Sequence, residues 1–133
     1  MDENIEFLTD NLFDSKPIND HPNGTQIKEV AAEPKSFIQR PGRTLVLCDG
    51  GFKRFEVPFL ARFLKNGDII MSHDYAKDFD YFESHIRNKI WNWMEIQDRD
   101  IQGCMHKYNL DKIMEETFDP VVWVCLERVE KIL

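Results

Sequence analysis

Two short polar clusters carry the residues best suited to chemistry: Asp49-Gly50-Gly51 and Ser72-His73-Asp74-Tyr75. Together they hold two carboxylates and an imidazole. An imidazole titrates near neutrality, so His73 could take the proton of an acceptor hydroxyl. A histidine bonded to a loop carbonyl is the plain alternative. Asp49 and Asp74 could each cap a following helix. Both acids in one crevice, with a histidine beside one of them, point instead to function.

The elements around the clusters would bring them together. Thr44 to Cys48 is a short apolar run, too brief for a helix and suited to a strand buried on both faces. Gly50 and Gly51 permit the sharp turn that follows it. Phe52, Phe55, Phe59, Leu60, Phe63 and Leu64 recur at helical spacing, and Asn66-Gly67 reads as the helix stop. Asp68 to Met71 is a second buried strand. The unit is βαβ, with parallel strands and a right-handed crossover. Parallel neighbours end on one sheet edge, so Asp49 and His73-Asp74 should face one crevice.

A chain of 133 residues has room for one domain, residues 1–133, burying about two thirds of its unfolded surface. A formal charge of −7 argues against nucleic acid or an anionic membrane as partner. No signal peptide or membrane-length apolar run is visible. Cys48, Cys104 and Cys125 are odd in number and widely spaced, which favours buried reduced thiols and a cytoplasmic location. No CxxC or HExxH pattern suggests zinc.

Elsewhere, Ile5 to Thr9 alternates like a strand, and Asp14 to Gly24 reads as a loop. Thr25 would cap a helix with Ile27, Val30 and Ala31 inward, kinked or broken by Pro34. Lys77 to Trp91 carries Phe79, Phe82, Ile86 and Ile90 at helical intervals. Trp93 to Ile96 alternates as a short strand. Ile101 to Phe118 is helical in two pieces, interrupted at Asn109, and Val121 to Val129 is the final strand.

This order, with Asp-Gly-Gly after one strand and His-Asp after the next, resembles the C-terminal part of a class I S-adenosylmethionine-dependent methyltransferase. The local pattern is similar to the small O-methyltransferase and cephalosporin hydroxylase-like groups. The resemblance implies a Rossmann-like, mostly parallel α/β sheet with flanking helices and an antiparallel last strand, lacking the first two strands of the family's 3-2-1-4-5-7-6 order. Ile5 to Thr9 would be the family's third strand. Asp10 would accept a hydrogen bond from the adenine amino group, with Asn11 beside it. Asp49, Gly50 and Gly51 would lie against the methionine part of S-adenosylmethionine. Asp49 and Asp74 would hold a divalent ion, with magnesium suited to hard oxygen ligands. His73, Asp74 and Asp49 would be the catalytic groups, and the acceptor a small hydroxyl-bearing or sugar-like molecule.

The family's glycine-rich loop and its ribose-binding acid are absent from this sequence, so the chain is expected to begin at strand three, as a fragment or a natural short form. Thr44 to Cys48 would then present an edge, expected to be covered by the first strand or by another chain. A homo-oligomer is one way to cover it. The alternative to an enzyme is a non-catalytic methyltransferase-like half-fold serving as an oligomerisation or binding module. His21, His85 and His106 read as surface residues, and Lys53 and Arg54 as solvated, although basic residues at a helix start oppose the helix dipole and leave an anionic ligand nearby as the alternative. Glu56 supports the helix start. Trp91 and Trp93 read as core at an element junction, with a substrate wall as the functional alternative.

Overall fold

The structure is a computed structural model and describes residues 13–17, 25–30 and 32–130. Ile5 to Thr9, Asp10, Asn11 and His21 lie outside the described residues. The first elements are β1 (Phe13–Pro17) and β2 (Thr25–Val30), paired antiparallel with an irregularity between Asp14 and Ser15. A strand therefore stands where part of a loop was expected, and another replaces the helix expected from Thr25. Ile27 and Val30 sit three apart, a helical interval, but Thr25, Ile27 and Val30 are all β-branched and favour strands. In α1 (Ala32–Gln39), Pro34 lies in the first turn, where its missing N–H costs no hydrogen bond. It starts the helix rather than breaking it.

A four-stranded sheet is built from β3 (Leu45–Cys48), β4 (Ile69–Ser72), β5 (Leu110–Lys112) and β6 (Val124–Arg128), in the order β3-β4-β6-β5. β3 and β4 are parallel neighbours. β4 and β5 each pair antiparallel with β6. Three strands therefore run one way and the last strand, inserted between β4 and β5, runs the other. The fold is α/β with an open mixed sheet; only one of its three neighbouring pairs is parallel.

α2 (Lys53–Ala61) and α4 (Asp98–Tyr108) cover one face. Val57, Leu60, Ala61 and Leu64 pack with Ile70, Ile101, Cys104, Val124 and Leu126 in one core. The expected apolar face of α2 is rotated, for Phe52 and Phe55 are exposed while Lys53 and Glu56 are buried. The other expectation to change is β3. It is an edge strand among the described residues, and Leu45 and Leu47 are each 57 % exposed rather than buried.

Register comes from Asp68, which is fully buried at the entry to β4. Its carboxylate accepts the backbone N–H of Thr44 at 2.8 Å and of Lys65 at 2.7 Å, and the Lys65 ammonium at 2.9 Å. These bonds tie the start of β3 to the start of β4. α2 ends at Ala61, before the expected stop, and Gly67 (φ 89°) serves the turn into β4.

Past β4 the long helix expected over Lys77 to Trp91 is cut short. α3 (Phe79–Tyr81) passes into a π-helical turn, Phe82–Ile86. The Ile86 carbonyl then accepts the N–H groups of Lys89, Ile90 and Trp91 at 3.0, 2.8 and 3.2 Å, which curls the chain back on itself. Phe82 and Ile86 are buried; Phe79 and Ile90 are exposed. The strand expected over Trp93 to Ile96 reduces to a single bridge between Ile96 and Tyr75. Asn109 (φ 54°) ends α4 as expected, but β5 intervenes before α5 (Glu115–Phe118). β6 starts at Val124, after a 3-10 turn over Asp119–Val121. No helix among the described residues is long and apolar enough to cross a membrane.

Candidate functional site

Because Cys48 lies opposite Ser72 in the parallel ladder, the chains leave β3 and β4 side by side. The His73 N–H donates to the Cys48 carbonyl at 3.1 Å, carrying the pairing one step past the strands. Asp49 and His73 therefore emerge on one edge. Asp74 follows in the left-handed region (φ 58°), which an aspartate tolerates better than most residues. Its carbonyl accepts the N–H groups of Glu95 and Ile96 at 2.8 and 3.2 Å, which holds that turn in place.

The side chains converge on the imidazole. His73 Nδ1 is 3.2 Å from Asp49 Oδ1 and 3.2 Å from Asp74 Oδ1. The ring lies near two indoles, with centroids 4.8 Å from Trp123 and 5.6 Å from Trp91. Since Nδ1 faces the carboxylates, Nε2 is on the far side of the ring. Neither acid caps a helix: α2 has Phe52 as its N-cap without a side-chain cap, and α3 uses Asp78.

Asp74 is held from three directions. Besides His73, its Oδ1 accepts the Trp91 indole N–H at 2.8 Å, and its Oδ2 pairs with Lys53 Nζ at 2.9 Å. Lys53, only 3 % exposed, also donates to Glu95 Oε2 at 2.8 Å and to the Gly50 carbonyl at 2.6 Å. Burial alone would lower its pKa; the hydrogen bonds and charges of Glu95 and Asp74 outweigh that and hold it above the ordinary lysine value. The expectation of a solvated Lys53 is thus overturned, while Arg54 is exposed as expected. The sequence signal was a lysine at a helix start, unfavourable to the helix dipole. Its partner Glu95 lies 42 residues away and carries no signal of its own.

The glycine turn has a local cause. Glu56 Oε1 accepts the Phe52 N–H at 3.2 Å, folding the side chain back over the turn. A Cβ on Gly50 would lie 2.6 Å from that oxygen, so a side chain there would have to displace the Glu56 carboxylate. Burial pushes the Glu56 carboxyl above its usual range, partly offset by the Phe52 N–H and the Lys53 charge. Beyond Asp74, the Tyr75 hydroxyl donates to Asp98 at 2.5 Å, and Lys112 Nζ bonds both, at 2.8 and 2.9 Å. Burial first, and then the Asp98 carboxylate, push the Tyr75 phenol far above its ordinary value. This network anchors the site loop to α4 and β5.

No family model, no curated protein and no solved structure matches this chain. What the site can hold follows from its own atoms.

Asp49, His73 and Asp74 bring one donor atom each within 4.8 Å of the others. Neighbouring donors around a six-coordinate ion, with bonds of about 2.1 Å, lie about 3 Å apart. The two 3.2 Å spacings at Nδ1 fit that geometry. The Lys53 ammonium occupies Asp74 Oδ2, and Oδ1 accepts the Trp91 indole N–H while facing the cluster. These three donor atoms are the ones a divalent cation would take, and the Asp49 spacing is equally that of a hydrogen bond with Nδ1. S-adenosylmethionine does not find a comparable cradle among the described residues. Gly50 is small to admit Glu56, the space at Gly51 is open, and Asp10 and Asn11 lie outside what the structure describes.

Trp91 and Trp93 are 45 % and 60 % exposed, so neither is the core residue expected. His85 and His106 are on the surface, as expected.

Proposed function

We propose that this chain is a methyltransferase-type α/β domain whose Asp49, His73 and Asp74 handle a hydroxyl of a small substrate, with a divalent cation seated among them. The observation that carries this reading is the meeting of both strand tips on one imidazole nitrogen. The strand order adds support. β3-β4-β6-β5 with only the last strand reversed is the 4-5-7-6 order that the methyltransferase resemblance implies for a Rossmann-like sheet without its first strands.

Asp74 is fixed by Lys53 and Trp91, so its Oδ1 stays aimed at the cluster. Asp49, with its side chain 61 % exposed, is the ligand that meets incoming substrate. A bound ion supplies positive charge beside a substrate hydroxyl and makes its proton easier to lose. His73 has two uses that exclude one another at Nδ1. Either Nδ1 carries a proton shared with the carboxylates and leaves Nε2 as a base, or it gives its lone pair to the ion. The imidazole also moves the choice of metal from magnesium toward manganese or zinc. Methyl transfer from S-adenosylmethionine is the reaction class that the resemblance implies. The buried thiols are all free, which fits a reducing cytoplasm.

Calorimetric titration of the purified chain with MnCl2, and then with S-adenosylmethionine, tests this proposal. Manganese heat that disappears in Asp49→Asn, followed by cofactor heat, supports it. A folded chain that gives neither at millimolar ligand rules it out.

A second reading, an oligomerisation or binding module, is favoured by the place of β3 at the sheet edge among the described residues, with Leu45 and Leu47 exposed. Pairing of β3 with its copy in a second chain would cover that edge.

A further inference from the structure

Lys53 is almost wholly buried, and its ammonium is surrounded by oxygens from three separate segments. It donates to the Gly50 carbonyl after β3 at 2.6 Å, to Asp74 Oδ2 after β4 at 2.9 Å, and to Glu95 Oε2 at 2.8 Å. An ammonium has three donors, and these acceptors use all of them. Glu95 also accepts the Lys53 backbone N–H through Oε1 at 3.2 Å, so one carboxylate holds both ends of the residue. Three converging oxygens, two of them from carboxylates, are the surroundings of a bound monovalent cation. Here the cation arrives on a flexible four-carbon stem. Asp74 then bridges two positions: Oδ2 meets the ammonium, while Oδ1 lies 3.2 Å from His73 Nδ1 in the cluster.

We infer that Lys53 is a positioning residue: a tethered cation that fills a second cation position beside the Asp49–His73–Asp74 set and so limits the site to one divalent ion. The limit to one ion rests on the cation proposed above; the tethered cation does not. The ammonium joins the turn after β3 to the turn after β4, which are the two strand tips that carry Asp49 and Asp74. It also commits Asp74 Oδ2, so this carboxylate offers the cluster one oxygen and not two. Without the ammonium, Asp74 and Glu95 are left as largely buried carboxylates with no compensating charge between them. The Gly50 carbonyl and these two acids would then face a gap that a small cation from solution can enter. A lysine serving the fold alone predicts something different, a fixed loss of stability that no small cation repairs.

The test compares Lys53→Ala with the parent in the full chain, by urea unfolding and by calorimetric titration with MnCl2. The variant is expected to unfold at lower urea. Methylammonium chloride should raise its midpoint saturably, while tetramethylammonium chloride at equal concentration, too bulky for the gap, should not. The parent should respond alike to both salts. The variant is also expected to bind a second manganese per chain, which methylammonium displaces without removing the first. A variant midpoint that does not distinguish the two salts overturns the tethered cation. Manganese stoichiometry equal to that of the parent overturns the limit to one ion. If Lys53→Ala is unfolded in buffer, it is refolded in each salt: recovery in methylammonium alone is expected, and recovery in neither overturns the proposal. A parent that binds no manganese, with methylammonium still rescuing the variant, would sink the proposed function and keep the role of Lys53.

Discussion

Trp91 donates its indole N–H to Asp74 Oδ1 at 2.8 Å, across 17 residues of sequence, and so joins a surface loop to the tip of β4. The bond locks an exposed ring against a buried carboxylate. Trp91→Phe keeps the ring and deletes the donor. A hydrogen bond to a charged acceptor contributes about 1.5–3 kcal/mol, and partial exposure of Trp91 places the loss near the low end. Urea unfolding of the variant should therefore show about 1–2 kcal/mol lost, with the slope unchanged. No loss would mean the bond is not made in solution.

Glu56 predicts a pH dependence. Its folded-state pKa is raised, chiefly by burial, so the folded chain holds this proton more tightly than the unfolded chain. Its contribution is fully present below the unfolded pKa and is lost as pH rises through the raised folded value. Glu56→Gln removes that loss while keeping an oxygen for the Phe52 N–H. The stability of the variant relative to the parent should rise between pH 4 and pH 7.5, followed by urea unfolding at each pH. A difference independent of pH would show that Glu56 is not desolvated as described.

The same side chain sets the cost of filling Gly50. Gly50→Ala would bring Cβ to 2.6 Å from Glu56 Oε1, so the carboxylate must shift and its bond with the Phe52 N–H is disturbed. A loss of about 1–3 kcal/mol is expected from overpacking. In the double variant Gly50→Ala, Glu56→Ala the loss should be smaller than the sum of the two singles. Full additivity would remove Glu56 as the reason for glycine here.

Thiol chemistry offers a simple check of the core. Cys48, Cys104 and Cys125 are buried and free, and burial pushes the Cys104 thiol up to about 11. At pH 8 a disulfide reagent should label none of them in the folded chain and all three after unfolding. Fast labelling of the native chain would contradict this packing.

The unit from β3 to β4 was legible because an apolar run ending in Asp49-Gly50-Gly51 admits few structures, and Gly50 is fixed by a neighbour four residues from Phe52. The convergence of Asp49 with His73 and Asp74 followed from parallel pairing alone. Lys53 and Glu95 were not legible, because their meeting depends on the left-handed turn at Asp74, which aims its carbonyl at Glu95. Trp91 was missed as an exposed residue for a similar reason. Its helical spacing continued from Phe82 and Ile86, but three N–H groups gather on the Ile86 carbonyl and end the period there. Leu45 and Leu47 read as buried because an apolar run does not reveal whether a second layer covers both faces of the strand.

Leu47→Lys addresses the β3 edge. If β3 pairs with a second copy of the chain, a lysine on the exposed face should shift the chain toward monomer in light scattering, with little change in stability. Unchanged mass for a parent that is already monomeric would remove the oligomerisation reading.

The most direct measurement is anomalous scattering from crystals soaked in MnCl2. A manganese peak bounded by Asp49 Oδ1, His73 Nδ1 and Asp74 Oδ1, and missing from Asp49→Asn crystals, is the predicted result. No peak at millimolar manganese, with those three side chains still converging, would contradict the cation site.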